Sequence, residues 1–256
     1  MAPAGRYVDL VKTRSGVLLE LVFLTVCLVL FSRLHAAAGR DLAAAAANAL
    51  TLQSMEHAMH LDIERAANAW LTARETLSPF AVYVYRLYYV VVAGTLLWVS
   101  LRHADVYRRV RRTMVAMMVL VLPIYWAIPM SPPRFALPGT VDLVAVHDIV
   151  GQAAHESWIR PTHLTAMPSM HVGWSLWCAY AVWTALRATH PRAALLAWAF
   201  PLLMIAIVLG TANHYVLDIA GSLMLLAAAI GVASLWGRLT RLSAVSAPPR
   251  RPPGRP

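Results

Sequence analysis

The sequence has little charge and little cysteine. Only 13% of its 256 residues are charged, whereas 59% are apolar, against about a quarter charged and about half apolar in ordinary soluble domains. This balance excludes an ordinary water-soluble fold and, away from the chain ends, a disordered one. The two cysteines, Cys27 and Cys178, lie in separate apolar runs, so they form neither a CxxC metal site nor a disulfide framework. We expect both to be small buried residues.

Lysine is almost absent: the chain has 21 arginines, one lysine and a net charge of +10. In a soluble protein this excess would suggest nucleic-acid binding. Here the arginines flank long apolar segments, which favours contact with anionic lipid instead. We therefore expect no nucleic-acid partner.

Six apolar segments are about as long as the 20 or so residues that cross a hydrocarbon core about 30 Å thick. They lack the alternating pattern of barrel strands, and unpaired backbone groups are costly in lipid, so we predict helices. No secretory signal pattern is present, and we expect the first span to be retained. The sequence thus predicts an all-α polytopic membrane protein with six transmembrane helices, at residues 16–34, 80–101, 114–130, 168–186, 193–209 and 215–236.

The basic residues predict the orientation. With a cytoplasmic N-terminus, 15 of the 22 basic residues lie on the inner side, as the positive-inside rule requires. We therefore expect a protein of the inner cell membrane with both termini cytoplasmic. The predicted parts are a cytoplasmic segment 1–15, a membrane catalytic domain 16–236 with an outer loop 131–165, and a basic, disordered Pro/Arg-rich tail 237–256.

Residues 41–78, between the first two spans, are too polar to cross a membrane but have a helical pattern. One side carries apolar residues and the other carries charges, which predicts an amphipathic helix lying in the outer interface. The apolar side comprises Leu61, Ile63, Ala67, Trp70 and Leu71, and the charged side Asp62, Glu64, Arg65 and Arg74.

Three polar clusters fall at the outer ends of predicted spans. They occupy residues 131–134, 160–171 and 213–218. Their convergence on one face predicts a site there.

His214 and Asp218 are four residues apart, which places them on one helix face with the carboxylate able to hold one imidazole nitrogen. An imidazole oriented in this way can act as a nucleophile or base. The alternative is a polar pair that joins helices. Ionisable groups within membrane segments are costly and often functional, which favours the catalytic interpretation.

Pro168 suits the first turn of a helix, whose free amides and positive dipole end bind phosphate. His171 then lies where it could protonate a leaving oxygen, and Arg134 could clamp phosphoryl oxygens with its planar fork. The alternatives are that Arg134 is an interface residue and that Pro132 and Pro133 only stop a helix. A dense group of tyrosines at 83, 85, 88 and 89 predicts an aromatic belt.

Three motifs now carry a resemblance: PPR at 132–134, MPSMH at 167–171 and NHYVLD at 213–218. In this order they resemble the type 2 phosphatidic acid phosphatase superfamily, and the PPR and NHY forms are similar to its inositol phosphorylceramide synthase branch. The resemblance implies that His214 is the nucleophile that forms a phosphohistidine, that Asp218 orients it, and that His171 is the general acid and then base. It implies phosphate binding by Arg134 and Ser169, and no metal or other cofactor.

Two departures from the hydrolase motifs matter. Ile207 and Val208 stand where the third motif has Ser-Arg, and Ala127 stands where the first has Lys. Arg160 and His163 are the candidates to replace these phosphate-binding groups. Fewer positive groups suit a phosphodiester, which carries less charge than a phosphomonoester.

The sequence therefore predicts a lipid phosphatase or phosphotransferase, with a lean toward transfer of a phosphoryl-headgroup from a lipid to an alcohol such as inositol or a lipid hydroxyl. Simple hydrolysis of a lipid or polyprenyl (pyro)phosphate is the alternative. A transporter or a non-catalytic lipid-binding protein is an alternative of another class, although a transporter predicts internal repeats that the sequence lacks.

Overall fold

The computed structural model describes residues 14–38, 40–147 and 164–245. Within these ranges the regular structure is helical, with one isolated bridge between Met130 and Thr165. The all-α prediction is confirmed. The helices are α1 (Arg14–Ala37), α2 (Leu42–Ala58), α3 (Glu64–Thr72), α4 (Leu77–Arg102), α5 (Ala104–Ala127), α6 (Pro133–Ala136), α7 (Leu143–Val146), α8 (Met170–Leu186), α9 (Pro191–Leu196), α10 (Ala199–Gly210) and α11 (Val216–Val245).

Five helical segments in the described ranges are long and apolar enough to cross a membrane: Leu18–Ala37, Leu77–Arg102, Ala104–Ala127, Pro191–Gly210 and Val216–Thr240. They identify a polytopic membrane protein. The predicted span at 168–186 forms α8, which has only 17 residues and falls short of the length of about 20 that crosses a bilayer. Six spans are therefore not confirmed.

Helix α8 lies at the centre of the bundle. It packs against α4, α5, α9, α10 and α11, and most of its side chains are buried. Trp177, fully buried, donates from Nε1 to the Val110 carbonyl oxygen at 3.0 Å, so its polar group is satisfied inside the core. Cys178 is buried as predicted, whereas Cys27 is half-buried.

Some predicted helix boundaries differ from the observed ones. Helix α5 begins at Ala104 rather than 114, because the arginine-rich turns before the apolar run are also helical, as the high helix propensity of arginine permits. Helix α11 continues to Val245, through part of the predicted tail. Residues 1–13 of the predicted cytoplasmic segment 1–15, and residues 246–256 of the predicted tail 237–256, lie outside the described residues.

The segment predicted as one interfacial helix forms two, α2 and α3, joined by a turn in which His60 has φ 57°. The interfacial helix is therefore not confirmed, and the predicted charged face does not hold for Glu64. Glu64 is only 1% exposed, whereas Trp70 is 55% exposed. Glu64 turns inward because its carboxylate accepts the backbone N–H of Val216 at 3.0 Å, which a pattern of hydrophobicity does not reveal.

Helix α1 packs mainly on α5 and is fastened near both ends. At one end, Glu20 accepts from Tyr107 at 2.7 Å and pairs with Arg111. At the other end, Nε2 of His35 and Oγ1 of Thr165 share a hydrogen bond of 2.9 Å. The middle of α1 therefore faces the bundle between two fixed points.

Candidate active site

Backbone hydrogen bonds join the three predicted polar clusters at one end of the bundle. Met130 N donates to the Leu164 oxygen at 2.7 Å, and Ala166 N donates to the Met130 oxygen at 3.1 Å. Arg134 N donates to the Ala212 oxygen at 2.8 Å. The structure thus brings together segments that are up to 80 residues apart in the sequence, in fixed register.

His214 lies just before α11 and is 6% exposed. Its Nδ1 is 2.8 Å from the Ala166 carbonyl oxygen and 3.2 Å from Oδ2 of Asp218. Because a carbonyl oxygen can only accept, Nδ1 carries the proton, and the lone pair of a neutral ring is on Nε2. Asp218, fully buried, also accepts the Tyr215 N–H at 2.9 Å. The arrangement therefore holds the His214 ring in one tautomer, with an unprotonated Nε2.

His171 lies in the first turn of α8, and its ring centroid is 5.8 Å from that of His214. Tyr85 stacks on the His171 ring with centroids 4.0 Å apart, and Tyr88 lies at 4.5 Å. Among the described residues the His171 ring has aromatic neighbours but no hydrogen-bond partner. Two tyrosine rings therefore hold this imidazole in place.

The prediction of an aromatic belt holds for only some of these tyrosines. Tyr83 and Tyr89 are exposed on α4 as an aromatic belt requires, whereas Tyr88 is buried against the site. Tyr85 and Tyr88 are three residues apart and so share one helix face. Their contact with the site could not be predicted, because in the sequence a tyrosine that faces the site looks the same as one at the membrane interface.

Arg134 lies in the short helix α6, and its side chain is 9% exposed. Its Nε is 3.4 Å from Oδ2 of Asp142, which also caps α7 by accepting the Ala145 N–H. Asp142 therefore orients Arg134, and no sequence pattern identified it. Pro133 occupies the first position of α6, so the two prolines start a helix rather than only stopping one.

Ser169 is the N-cap of α8, and its Oγ accepts the Val172 N–H at 3.3 Å. It is fully buried. Pro168 precedes this cap, so its predicted place in the first turn is wrong by two positions. A serine side chain at the N-cap satisfies an otherwise free amide, which explains the residue structurally, and phosphate binding by Ser169 stays a prediction.

Arg160 and His163 lie outside the described residues, so their predicted phosphate-binding role stays a prediction. Ile207 and Val208, which replace the Ser-Arg of the hydrolase motif, are buried in α10. These two positions supply apolar packing and no positive charge.

Two further carboxyl groups converge behind His214. Glu56 of α2 accepts the Leu217 N–H at 2.7 Å, and Glu64 of α3 accepts the Val216 N–H at 3.0 Å. Both glutamates are at most 1% exposed. With Asp218 on Tyr215, three consecutive amides at the start of α11 are satisfied, as an N-terminus requires. This carboxylate clamp, Glu56 and Glu64, fixes the segment that bears His214.

Titration of the clamp is expected to alter stability. Burial, together with the adjacent Glu64 carboxyl, raises the pKa of Glu56 to about 8 from 4.5, and burial also raises the pKa of Glu64. The folded protein therefore binds more protons than the unfolded chain between these two pH values, so the free energy of unfolding falls as pH rises through this window.

We expect Glu56→Gln to flatten this dependence, because glutamine keeps an acceptor oxygen for Leu217 without ionising. The measurement is the melting temperature in detergent from pH 5 to 8.5. Glu75→Gln, at an exposed position, is the matched control and should follow the wild type. Equal slopes for the wild type and Glu56→Gln would contradict the expectation.

A cavity of about 520 Å³ opens beside the histidines. Its lining includes His171, His214, Arg134 and Asn213, and otherwise consists mainly of apolar and aromatic side chains from α1, α4, α5 and α8. Within the described parts of the chain, no three His, Cys, Asp or Glu side chains form a cluster suited to a metal ion. The polar groups are therefore concentrated at one end of an apolar chamber.

A family model described as the PAP2 superfamily matches residues 50–232, which is well over half of the chain. The matched region contains all three motifs and both halves of the carboxylate clamp. No curated protein and no solved structure matches the chain significantly.

Proposed function

The chain belongs to the PAP2 superfamily and is a membrane enzyme of the lipid phosphatase type; we propose that it cleaves a lipid phosphate ester through a phosphohistidine on His214. The observation that carries this proposal is the fixed tautomer of His214 beside His171. A neutral imidazole with its Nε2 lone pair in a cavity, 5.8 Å from a second imidazole, suits in-line displacement at phosphorus.

In the first step, the Nε2 lone pair of His214 attacks phosphorus. The bond from phosphorus to the lipid oxygen breaks, and its electron pair leaves on that oxygen. Protonated His171 donates a proton to the oxygen, so an alcohol departs rather than an alkoxide. Asp218 stabilises the positive charge that develops on the His214 ring.

In the second step, neutral His171 accepts a proton from water or an acceptor hydroxyl. That oxygen attacks phosphorus, and the bond to Nε2 breaks and returns its electron pair to His214. Water gives hydrolysis, and an alcohol gives a new phosphate ester. Both histidines end in their starting protonation states.

Arg134 supplies the positive charge for the phosphoryl oxygens. Its guanidinium is held beside the cavity by Asp142, and a preorganised donor of this kind commonly contributes about 10²- to 10³-fold in rate. The amino end of α8, where His171 lies, adds the positive end of a helix dipole. Arg160 and His163 are proposed as further contacts.

The preference for an alcohol acceptor follows from the small number of basic groups at the site. Ile207, Val208 and Ala127 remove basic groups of the hydrolase motifs, and a phosphodiester requires fewer. We therefore favour phosphoryl-headgroup transfer to an alcohol, as in the inositol phosphorylceramide synthase branch, with hydrolysis as the alternative. No metal is required by this scheme.

For topology, we propose that α8 crosses the membrane as a short, fully surrounded sixth span. Helices α2 and α3 then lie at the outer interface, both termini are cytoplasmic, and the site faces outward. The excess of arginine on the inner side supports this orientation.

The test uses purified protein in detergent with a panel of labelled lipid phosphates and phospholipids, each with and without inositol. We expect turnover without added metal, and headgroup exchange that depends on the alcohol. Release of free phosphate from monoesters alone would eliminate the transferase lean. Lipid binding without any turnover would overturn the proposal in favour of a non-catalytic protein.

A further inference from the structure

We propose that the cavity between α1, α4 and α5 is a tube that holds one hydrocarbon chain of the substrate and selects its length. This inference rests on the proposed function, because it takes the phosphate to lie at the histidine end. The tube is defined here by the parts of α1, α4 and α5 that line the cavity.

The depth of the tube follows from helix geometry. On each of the three helices, the lining extends over eleven residues from the level of the site: His35 to Leu24, Tyr85 to Leu96, and Tyr125 to Met114. At 1.5 Å per residue this is about 16 Å on each helix. The outer ends lie together, since the His35 ring is 5.0 Å from that of Tyr125.

This depth matches the hydrocarbon of one leaflet, which is half of a core about 30 Å thick. A lipid whose phosphate lies at the histidines therefore places a chain of ordinary membrane length down the tube to its inner end. The inner end is formed by Leu24, Leu96 and Met114. A longer chain would meet these side chains.

The tube has room for one chain and opens sideways. Its volume of about 520 Å³ is that of a site for one drug-sized molecule. Leu28 and Tyr89 line it and yet are 55% and 63% exposed, so the side between α1 and α4 is open to the bilayer. A second chain of a two-chain lipid would therefore remain in the surrounding membrane.

The part of the hydrocarbon chain that lies inside the tube determines the affinity for the substrate. For a single-chain substrate that enters the tube from water, each buried methylene contributes about fourfold to affinity, so excluding three methylenes from the tube costs about 60-fold. Val92 lines the tube seven residues, and thus about 10 Å, below Tyr85 on the same helix face. A large side chain there closes the inner third.

The experiment compares Val92→Trp with Val91→Trp, its matched control. Val91 is 42% exposed and is not a lining residue. For phosphates of single-chain alcohols with 8 to 18 carbons, we expect Val92→Trp to lower kcat/KM about 60-fold for long chains only, and Val91→Trp to follow the wild type. Met114→Ala, which extends the inner end, should shift the preferred length upward.

Alkyl phosphonates of graded length provide a readout without turnover, because their phosphorus-carbon bond is not cleaved. Their affinity for the wild type should rise with length and then level off at the tube depth, and level off earlier in Val92→Trp. If the wild type turns over no lipid phosphate but shows this binding profile, the proposed function fails and the tube stands. Identical length profiles for all variants would overturn the tube.

Discussion

Replacing His214 by alanine is expected to lower turnover by about 10³-fold or more, because among the histidines that the structure describes no other has its Nε2 lone pair presented by a carbonyl and a buried carboxylate. The hydrogen bonds of Nδ1 to Ala166 and Asp218 set a single tautomer. The rate is measured with the substrate that the purified wild type turns over fastest.

The covalent intermediate distinguishes a nucleophile from a merely structural histidine. Wild-type protein quenched during turnover of a substrate labelled in its phosphate should carry label that is stable to alkali and lost in acid. His214→Ala should carry none. His57→Ala is the control, since the His57 side chain is 78% exposed and far from any role in the scheme. Activity near that of the wild type in His214→Ala would remove the nucleophile assignment.

Replacing His171 by alanine is expected to lower the rate with alkyl esters by about 10²- to 10⁴-fold, the usual contribution of a positioned acid or base. The loss should be far smaller in the first step for an aryl phosphate ester, whose leaving group departs without a proton. The aryl alcohol should then appear in a rapid burst equal to the enzyme concentration, followed by slow turnover.

This burst is the decisive measurement, because in the proposed scheme His171 also activates the acceptor in the second step. A structural defect would lower the rates of the burst and of the slow phase equally, and would do so for both the alkyl and the aryl ester. Tyr85→Phe, which keeps the aromatic face that stacks on His171, serves as a control and should retain most of the activity. If His171→Ala lost the same factor with alkyl and aryl esters, the acid assignment would be wrong.

Much of this site was accessible from the sequence. Residues 167–171 and 213–218 stand out because ionisable groups at the ends of apolar helices are costly, and the structure places His171 and His214 within 5.8 Å. The number of transmembrane helices could not be predicted as well, since α8 is apolar but only 17 residues long. Its central place in the bundle depends on packing partners from five other helices.

Other parts could not be predicted. Glu56 and Glu64 read as ordinary charges of an amphipathic helix, yet both are buried on the first amides of α11. In the sequence Asp142 resembles an ordinary loop residue. Only the 3.4 Å contact between its Oδ2 and Nε of Arg134 shows that the two side chains pair. Tyr85 lies in a tyrosine-rich stretch that is typical of the membrane interface. Each of these partners lies more than seven residues from the residue it serves.

The sequence by itself determined that this is a helical membrane protein, since lipid leaves backbone groups no other partner, and it placed a pair of histidines and one arginine at the ends of predicted helices. The tertiary structure decided the supporting contacts and the shape of the chamber. The reason is that hydropathy and short motifs report local free energies along the chain, whereas the carboxylate clamp, the tyrosine stack on His171 and the 16 Å tube are contacts between helices that only the folded arrangement brings together.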